Sequence, residues 1–266
     1  MQASPEQRTN GETKLMTARN LTKTFGGLAA VKDVSFDLEQ GTIKAIIGPN
    51  GAGKTTLYDL LTGIYKPDRG SVLFQGKEMI GLPPHEITSS GIARTFQTIQ
   101  LFPDMTVIEN VMVGLHHRTG AGMIKAAFKL PSERKEEDWI VREAWRFLEI
   151  VGLEMQEENL AGALPFGQQR ILEVARAMAT SPSIMLLDEP ASGLNMYETR
   201  ELGEIVYRIR DMGVTVILVE HDMGLVMRIS DEVLVLDYGE IIAEGTPSEV
   251  RNDPRVIEAY LGSELE

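Results

Sequence analysis

The chain has 266 residues, a formal net charge of −13 and 43% hydrophobic residues, so it can bury one large core or two small ones. It contains no cysteine, which excludes disulfides, thiolate metal sites and thiol catalysis. Its acidity argues against nucleic acid as a partner, because phosphate backbones need a basic surface. Neither an apolar run of about 18 residues nor a secretory signal is found in the sequence. We therefore expect a cytoplasmic globular protein with a disordered tail at residues 1–14.

The first elements predicted after the tail are two strands in which apolar and polar residues alternate, Leu15–Leu21 and Ala30–Leu38. A turn at Gly26-Gly27 joins them, which is typical of half-buried antiparallel strands. Phe25 stands just before this turn. Local chemistry leaves two interpretations of its ring open, an ordinary core or turn aromatic and a functional aromatic beside a flexible loop.

A glycine-rich stretch follows the predicted strand Thr42–Ile47 and precedes a helix. It matches the pattern G-x-x-x-x-G-K-[ST] in the strand, loop and helix context that this pattern requires. Its backbone N–H groups can converge on an anion at the helix N-terminus, Lys54 would reach the β- and γ-phosphates, and the Thr55 hydroxyl would bind Mg²⁺. The sequence therefore predicts a nucleoside-triphosphate site. Its predicted binding residues are Gly48, Pro49, Asn50, Gly51, Ala52, Gly53, Lys54, Thr55 and Thr56.

Beyond this loop, the sequence predicts a short mixed region and then a long helical one. The mixed region contains two strands and a short helix, at Ser71–Phe74, at Ile92–Phe96 and from Pro83-Pro84 to about Gly91. From Phe102 to about Gly162 no strand pattern is convincing, and apolar residues recur at helical spacing. The main helix of this region runs from a capping Ser132 to Val151, and Gly120–Gly122 is predicted as a loop. We interpret the region as a helical insertion in an α/β chain.

The last hundred residues alternate between helices and strands. The predicted helices are Gln168–Thr180, Met196–Met212 and Met223–Ile229, and the predicted strands are Ile184–Leu187, Val214–Val219, Glu232–Leu236 and Ile241–Ala243. This alternation favours a parallel sheet covered by helices. In such sheets ligands bind at the carboxyl ends of the strands.

Two adjacent acids, Asp188 and Glu189, directly follow the predicted strand Ile184–Leu187. P-loop ATPases hold Mg²⁺ indirectly through an acid at the end of a buried strand, which would be Asp188. Glu189 is then placed to orient or deprotonate the attacking water. The alternative is a surface acid pair after a core strand, but the phosphate-binding loop earlier in the chain favours the catalytic interpretation.

These motifs, together with four others, resemble the nucleotide-binding subunit of ABC transporters. The series is Gly48–Thr55, Gln97 after Arg94-Thr95-Phe96, Leu164-Pro165-Phe166-Gly167-Gln168, Asp188-Glu189-Pro190, Ser192-Gly193-Leu194-Asn195 and His221. The resemblance implies that Phe25 stacks on adenine, that Gln97 senses the γ-phosphate and Mg²⁺, and that His221 holds the γ-phosphate and the water. It also implies that the signature loop, with Gly167 and Gln168, contacts ATP bound to a second subunit. The implied catalytic residues are Glu189, His221 and Gln97, and the implied metal site comprises Thr55, Gln97 and Asp188.

The resemblance also implies an architecture, cofactors and partners. The fold would be α/β, with a P-loop (RecA-like) parallel sheet core, an antiparallel β subdomain and a helical insertion at about residues 98–172, all within one ABC ATPase domain over residues 15–266. The cofactors would be ATP and Mg²⁺. The partners would be a second ATPase subunit in a homo- or heterodimer, two transmembrane permease subunits and, indirectly, a solute-binding protein. The chain would then lie on the cytoplasmic face of the inner membrane.

Within the family, the sequence is most similar to the ATPase of branched-chain amino-acid importers. The similar stretches are Phe25–Val31, Arg94–Gln97, Met105–Asn110, Glu220–Met223 and Ala259–Gly262. The lipopolysaccharide-export ATPase shares the general plan and a similar C-terminus, and it is the alternative. A soluble ABC ATPase that acts on DNA or ribosomes is less favoured, because such proteins usually carry two cassettes or a long coiled-coil insertion. A small-molecule P-loop kinase is less favoured still, since nothing supplies an acceptor pocket beside the acid pair.

Two positions depart from the family pattern. The signature normally reads L-S-G-G-Q, and here Pro165 and Phe166 replace its Ser and first Gly, so the hydroxyl and one N–H are lost. Asn195 stands where the family usually has Asp. Either the signature loop is weakened, or Pro165 is a passive turn residue and the helix N-terminus with Gly167 supplies enough binding.

Four apolar residues follow Gln97 at the junction of the core and the insertion, namely Ile99, Leu101, Phe102 and Met105. Apolar residues at this density indicate either packing inside the insertion or a docking surface for a membrane subunit.

Overall fold

In the computed structural model of the chain, residues 14–115 and 131–263 are described. The predicted loop Gly120–Gly122 lies outside these ranges, as does the predicted tail except for Lys14, which is the first residue of a strand. Among the helices of these two ranges, none combines the length and the apolar character that crossing a bilayer needs.

The described strands form two sheets. They are β1 (Lys14–Phe25), β2 (Leu28–Glu39), β3 (Ile43–Ile47), β4 (Arg69–Phe74), β5 (Lys77–Glu78), β6 (Ile92–Arg94), β7 (Ile184–Asp188), β8 (Thr215–Val219), β9 (Glu232–Asp237) and β10 (Glu240–Gly245). A smaller antiparallel sheet has the order β2-β1-β4-β5, and a six-stranded sheet has the order β10-β9-β3-β8-β7-β6. In the larger sheet every pair is parallel except β9 with β10.

Nine helices lie in the described ranges. They are α1 (Lys54–Leu61), α2 (Pro84–Ser89), α3 (Val107–Leu115), α4 (Pro131–Val151), α5 (Phe166–Ala179), α6 (Met196–Asp211), α7 (Met223–Ile229), α8 (Pro247–Arg251) and α9 (Pro254–Ser263). Short 3₁₀ turns occur at Glu154–Gln156 and Ala161–Ala163.

The inner strands β3, β8 and β7 are buried at every residue, which explains why four of the five residues in each strand are apolar. In the parallel register, Ile46 of β3 lies opposite Val219 of β8, and Val219 lies opposite Asp188 of β7. The carboxyl ends of these three strands are therefore neighbours. The glycine-rich loop, the acid pair and the His221 segment consequently begin at one edge of the sheet.

Two large apolar clusters cover the two faces of this sheet. Ile184 and Leu186 of β7 belong to a cluster with the smaller sheet and α1. Met185 and Leu187 belong to the other cluster, with α3, α4, α5 and α6. This division follows from the two-residue period of a strand, which sends successive side chains to opposite faces.

The predicted fold class is confirmed: a parallel sheet core carries an antiparallel β subdomain on one side and a helical insertion on the other. Two predicted helix starts were wrong. The helix α4 begins at Pro131, so Ser132 lies in its first turn and is not its cap, and proline is well suited to a first helical position. The helix α5 begins at Phe166 and not at Gln168, which makes most of the signature loop part of a helix.

Smaller differences occur at the ends of other elements. The strand β6 ends at Arg94, two residues before its predicted end, and α8 and α9 were not predicted. The helix α8 has a capping box in which Thr246 and Glu249 bond each other's backbone N–H groups.

Candidate active site

The glycine-rich loop surrounds the beginning of α1. Gly53 has a φ of 99°, and a Cβ at this position would lie 2.2 Å from the Ala30 carbonyl oxygen, so only glycine fits. The Lys54 Nζ donates to the Gly48 and Pro49 carbonyl oxygens at 2.7 and 2.9 Å. Burial lowers the pKa of Lys54, and the nearby Glu189 and Asp188 carboxylates oppose this effect. The buried Lys54 ammonium is thus held by two backbone carbonyl groups of the loop.

A cavity of about 210 Å³ opens over this loop. It is lined by the backbone and side chains of Ala30, Asn50, Gly51, Ala52, Gly53, Lys54, Thr55, Thr56, Glu189 and His221. The cavity joins most of the predicted phosphate-binding residues to two of the predicted catalytic residues, although about 130 residues of sequence separate the two groups.

The Glu189 carboxylate is bonded on both oxygens. Its Oε1 lies 2.7 Å from the His221 Nε2, and its Oε2 accepts a hydrogen bond of 2.8 Å from the Gln97 Nε2. The Glu189 backbone has a φ of 46°, a left-handed conformation that few non-glycine residues adopt, and its N–H donates to the Val219 carbonyl oxygen at 2.9 Å. The three predicted catalytic side chains are therefore in direct contact.

Asp188 is buried at the end of β7, and its Oδ2 accepts a hydrogen bond of 2.8 Å from the Arg94 Nη2. Burial raises the pKa of Asp188, and the Arg94 guanidinium opposes that rise. The predicted metal residues Thr55, Gln97 and Asp188 offer a hydroxyl, an amide and a carboxylate, the oxygen donors that Mg²⁺ prefers. Within the described ranges no three His, Asp or Glu side chains cluster as a complete metal site. The donor set therefore fits a Mg²⁺ ion that also has phosphate and water ligands.

Glu220 is a site residue to which sequence reasoning assigned no role. Its buried carboxylate accepts hydrogen bonds from the backbone N–H groups of Ala191, His221 and Asp222, at 2.6, 3.0 and 3.3 Å. Burial raises the pKa of Glu220, and these three bonds oppose the rise. Glu220 thus fixes the segment after Glu189 to the segment that carries His221. Its position in the sequence could have indicated a role at the site. Glu220 directly follows the buried strand β8, and Asp188 is the last residue of the buried strand β7.

The backbone of the Gln97 segment is held by charged side chains of α5. The buried Arg170 donates to the Phe96 and Gln97 carbonyl oxygens at 2.8 and 2.7 Å. Glu173 pairs with Arg170 at 3.0 Å and accepts a bond of 3.1 Å from the Gln100 N–H. The signature helix and the Gln97 segment are therefore one connected unit.

Gly167 and Gln168 lie in the first turn of α5, and neither lines the cavity of this chain. The Phe166 ring is half exposed and packs against Gly193, where an added Cβ would lie 2.8 Å from the ring. Asn195 caps α6: its side chain accepts from the Tyr197 and Glu198 N–H groups. Asn and Asp cap helices about equally well, so the second departure from the family pattern keeps the cap and loses the charge.

The structure does not bring Phe25 to the cavity lining. Its ring is 42% exposed and meets the Tyr65 ring edge to face, with 5.1 Å between the centroids. The Lys23 Nζ lies 5.5 Å from the Phe25 centroid. The ring is thus oriented by two neighbours at the end of β1.

Comparison with known proteins agrees with this geometry. A family model described as ABC transporter matches residues 31–192, and one described as branched-chain amino acid ATP-binding cassette transporter matches residues 240–266. The high-affinity branched-chain amino acid transport ATP-binding protein BraF of Pseudomonas aeruginosa is 45% identical over 93% of this chain and 98% of its own length. The protein LivG of Escherichia coli, described in the same words, shows the same identity and coverage.

Solved structures give the same result. The ADP conformation of MJ1267, an ATP-binding cassette of an ABC transporter, matches with a TM-score of 0.81 and 33% identity over 94% of this chain and 99% of that one. The dimeric cassette MJ0796 matches with a TM-score of 0.73 and 26% identity, over 87% of this chain and 98% of that one. The chain belongs to the ABC transporter family, as one of its ATP-binding subunits.

Proposed function

We propose that this chain hydrolyses Mg²⁺-ATP to power a membrane transporter that imports branched-chain or other hydrophobic amino acids. The observation that carries the catalytic part is the Glu189 carboxylate, held by His221 and Gln97 at the wall of the cavity over the phosphate-binding loop. The 45% identity to branched-chain amino acid transport ATP-binding proteins supports the choice of solute.

In this proposal each side chain has one task. Lys54 and the loop N–H groups bind the phosphates, and Thr55, Gln97 and Asp188 hold the metal, which supplies charge neutralisation when bound. Glu189 orients the attacking water and accepts its proton, because it is the carboxylate that lines the cavity. His221 keeps the Glu189 carboxylate in place and reaches the γ-phosphate. Phe25 stacks on the adenine.

The second ATPase subunit is part of the proposal because Gly167 and Gln168 lie away from the cavity of their own chain. Both residues lie in the first turn of α5, where the leading N–H groups of the helix can bind an anion. The nucleotide of a second subunit is the partner that we propose for this helix end.

Two permease subunits would dock beside the Gln97 segment and keep the chain on the cytoplasmic face of the inner membrane. A cavity of about 280 Å³ lies between the core and the insertion that we place at about residues 98–172. Phe96 lines this cavity, and Phe102 and Met105 are exposed in the same segment. In contrast, Leu101 packs against the larger core cluster. The apolar residues after Gln97 therefore divide between packing and the proposed docking surface.

The variant Glu189→Gln tests the proposal. It keeps the shape of the side chain and removes the base, so ATP affinity should stay within about twofold while turnover falls by about a hundredfold or more. Glu204→Gln, at an exposed position of α6, is the matched control. In cells with the complete transporter, uptake of labelled leucine should fall with turnover. Hydrolysis at the parent rate by Glu189→Gln would show that Glu189 is not the catalytic base. Unchanged leucine uptake would show that the transporter powered by this chain does not import leucine.

A further inference from the structure

Arg94 is a buried cation that contacts the Mg²⁺-associated carboxylate and has no role in the proposed function. It ends β6, where it lies opposite Leu186 of β7. Its side chain is only 7% exposed. Its Nη2 donates to the Asp188 Oδ2 at 2.8 Å, and its Nη1 donates to the Asp59 Oδ1 at 2.6 Å and to the Thr62 hydroxyl at 3.1 Å.

The two carboxylates on Arg94 belong to different parts of the site. Asp188 is the last residue of β7, and Asp59 lies in α1, the helix that begins at the phosphate-binding loop. A single guanidinium therefore fixes the Asp188 carboxylate relative to the helix that starts at the nucleotide phosphates. The N–H groups of a guanidinium point in fixed directions within one plane, so arginine can hold two carboxylates in a defined geometry. A lysine ammonium can pair with two carboxylates, but it does not fix their orientation in this way.

Two rings restrict the guanidinium further. Its central carbon lies 5.5 Å from the Tyr58 centroid and 5.1 Å from the Phe96 centroid. Tyr58 is itself buried and donates a hydrogen bond of 3.2 Å to the Leu187 carbonyl oxygen, next to Asp188. Arg94 is thus held in one orientation by hydrogen bonds in its plane and by nearby rings.

We propose that Arg94 is a positioning residue that orients the Asp188 carboxylate for the metal of the bound nucleotide. Its contact uses Oδ2 of Asp188, which leaves the other carboxylate oxygen for a water or a metal ligand. Partners of this kind commonly tune the metal affinity of the group that they hold. The inference rests on the proposed function, because Asp188 has its metal role only there.

Lys44 provides a matched comparison within the same sheet. Its side chain is 1% exposed, and its Nζ pairs with Glu232 and Glu244 at 2.8 and 2.6 Å. It is therefore also a buried cation between two carboxylates. It lies near the amino end of β3, however, away from the edge where the nucleotide residues meet. A purely structural ion pair should behave like Lys44.

The test is Arg94→Lys with Lys44→Arg as control, since both exchanges keep the charge. The affinity of each protein for a fluorescent ADP analogue is titrated with and without Mg²⁺, and the Mg²⁺ concentration for half-maximal ATP hydrolysis is measured. For Arg94→Lys we expect Mg²⁺-free affinity within about twofold of the parent, a loss of about tenfold in the affinity gained from Mg²⁺, and a matching rise in the Mg²⁺ requirement. Lys44→Arg should leave all three unchanged.

Asp59→Asn is the second variant, and it should change the same quantities in the same direction by a smaller factor. It decides the question if thermal unfolding shows that Arg94→Lys does not fold. Two results would overturn the role of Arg94 and leave the proposed function intact. In one, Mg²⁺ raises the nucleotide affinity of Arg94→Lys as much as that of the parent. In the other, Arg94→Lys loses the same factor in nucleotide affinity with and without Mg²⁺. A parent chain that binds no nucleotide in either condition would overturn the proposed function, and this inference with it.

Discussion

The Glu189 carboxylate receives one hydrogen-bonding partner from each of two separate segments, Gln97 from the junction with the insertion and His221 from the loop after β8. Its left-handed backbone is held by a bond to Val219. Strained conformations of this kind persist where the surroundings fix them, and they are common at functional sites. We infer that the Glu189 carboxylate, the proposed base, is held in a fixed place before the nucleotide binds.

His221→Ala tests this arrangement at the level of one side chain. Without the Nε2 contact, the Glu189 carboxylate can rotate away from the water, so turnover should fall by about tenfold to a hundredfold. Nucleotide affinity should change little, because in the proposed site Lys54 and the loop N–H groups bind the phosphates. Steady-state ATPase rates and equilibrium nucleotide titration measure the two quantities. His85→Ala, at an exposed position of α2, controls for the loss of a histidine; a parental rate in His221→Ala would contradict the prediction.

The buried Glu220 predicts a pH dependence of stability. Its pKa in the folded chain is raised above the ordinary 4.5, mainly by burial. Between 4.5 and the raised value, the folded chain binds more protons than the unfolded chain, so the free energy of unfolding falls as pH rises. Glu220→Gln removes this contribution, which amounts to at most about 1.4 kcal/mol per pH unit.

Urea unfolding of the parent and of Glu220→Gln, between about pH 5 and about pH 8, measures this slope. Burial also raises the pKa of Glu173 and of Asp188, so the variant should keep a weaker slope of the same sign. Glu204→Gln should keep the parental slope. Identical slopes in the parent and Glu220→Gln would show that Glu220 does not titrate in this range.

Some site residues could be predicted from the sequence and others could not. The difference lies in whether the signal is local in sequence or depends on contacts with residues far along the chain. Lys54 was predicted from the glycine-rich pattern, and Asp188 and Glu189 were predicted from the apolar strand before them, and both signals are local in sequence. Arg94 and Glu220 were assigned no role, because a buried ion pair or a carboxylate on backbone N–H groups depends on neighbours far away in sequence. The contact of Arg94 with Asp188, for example, joins residues 94 positions apart.

At the scale of elements, the sequence predicted the strands better than the ends of the helices. The strands β3, β7 and β8 are mostly apolar because both faces of the sheet are covered, so their extent is visible in composition. The start of α5 was predicted at Gln168, two residues too late. Proline in fact occupies the N-cap with an extended ψ of 150°, and the helix begins immediately after it.

In the segment after Gln97, Phe102 is exposed and Leu101 packs against the core. Substitutions at these two residues can therefore distinguish a role in docking from a role in folding. Phe102 is 45% exposed, while its backbone N–H and C=O are each bonded at 3.0 Å by the buried Asn110 side chain. Phe102→Asp should therefore fold. It should release the chain from membranes that contain the permease subunits and leave ATP affinity within about twofold, because the nucleotide site lies elsewhere.

Leu101→Asp is expected to behave differently. Its side chain packs against the larger core cluster, so an unpaired charge there should destabilise the fold by roughly 3 kcal/mol or more. Met212→Asp, with the same 45% exposure at the end of α6, controls for a charge on an exposed apolar residue. Membrane fractionation and thermal unfolding measure the two effects. Retention of Phe102→Asp on membranes would show that this residue is not part of the docking surface.

At the scale of the whole molecule, the cavity is lined by the phosphate-binding loop, Glu189 and His221, but by no residue of the signature loop. The signature helix is tied through Arg170 to the Gln97 segment of its own chain. A nucleotide held between two subunits would therefore affect both chains through rigid contacts. In the dimer that we propose, the altered signature sequence would act on the nucleotide of the partner and not on that of its own chain.

Pro165→Ser tests that view. Pro165 occupies the N-cap of α5 without a side-chain bond, and serine would supply a hydroxyl both to the helix and to an anion in front of it. A homodimer uses this loop at both nucleotides, whereas a heterodimer with a second, related ATPase subunit uses it at one. We expect slow hydrolysis by the isolated chain, faster hydrolysis with the second subunit, and a gain of about tenfold from Pro165→Ser in the isolated chain, as one charge-assisted hydrogen bond would give. The gain should be smaller in the mixture.

Pro83→Ser is the matched control, since Pro83 is also the N-cap of its helix, has a ψ of 156° and makes no side-chain capping bond. A general benefit of capping would raise the thermal stability of both variants and leave the ATPase rate of Pro83→Ser at the parental level. A functional role of the signature loop would raise the rate only in Pro165→Ser. ATPase assays of the parent and both variants, alone and with the second subunit, measure the difference. Equal rates in all six samples would mean that Gly167 and the start of α5 bind the partner's nucleotide without a hydroxyl, and that the two sites are not unequal for this reason.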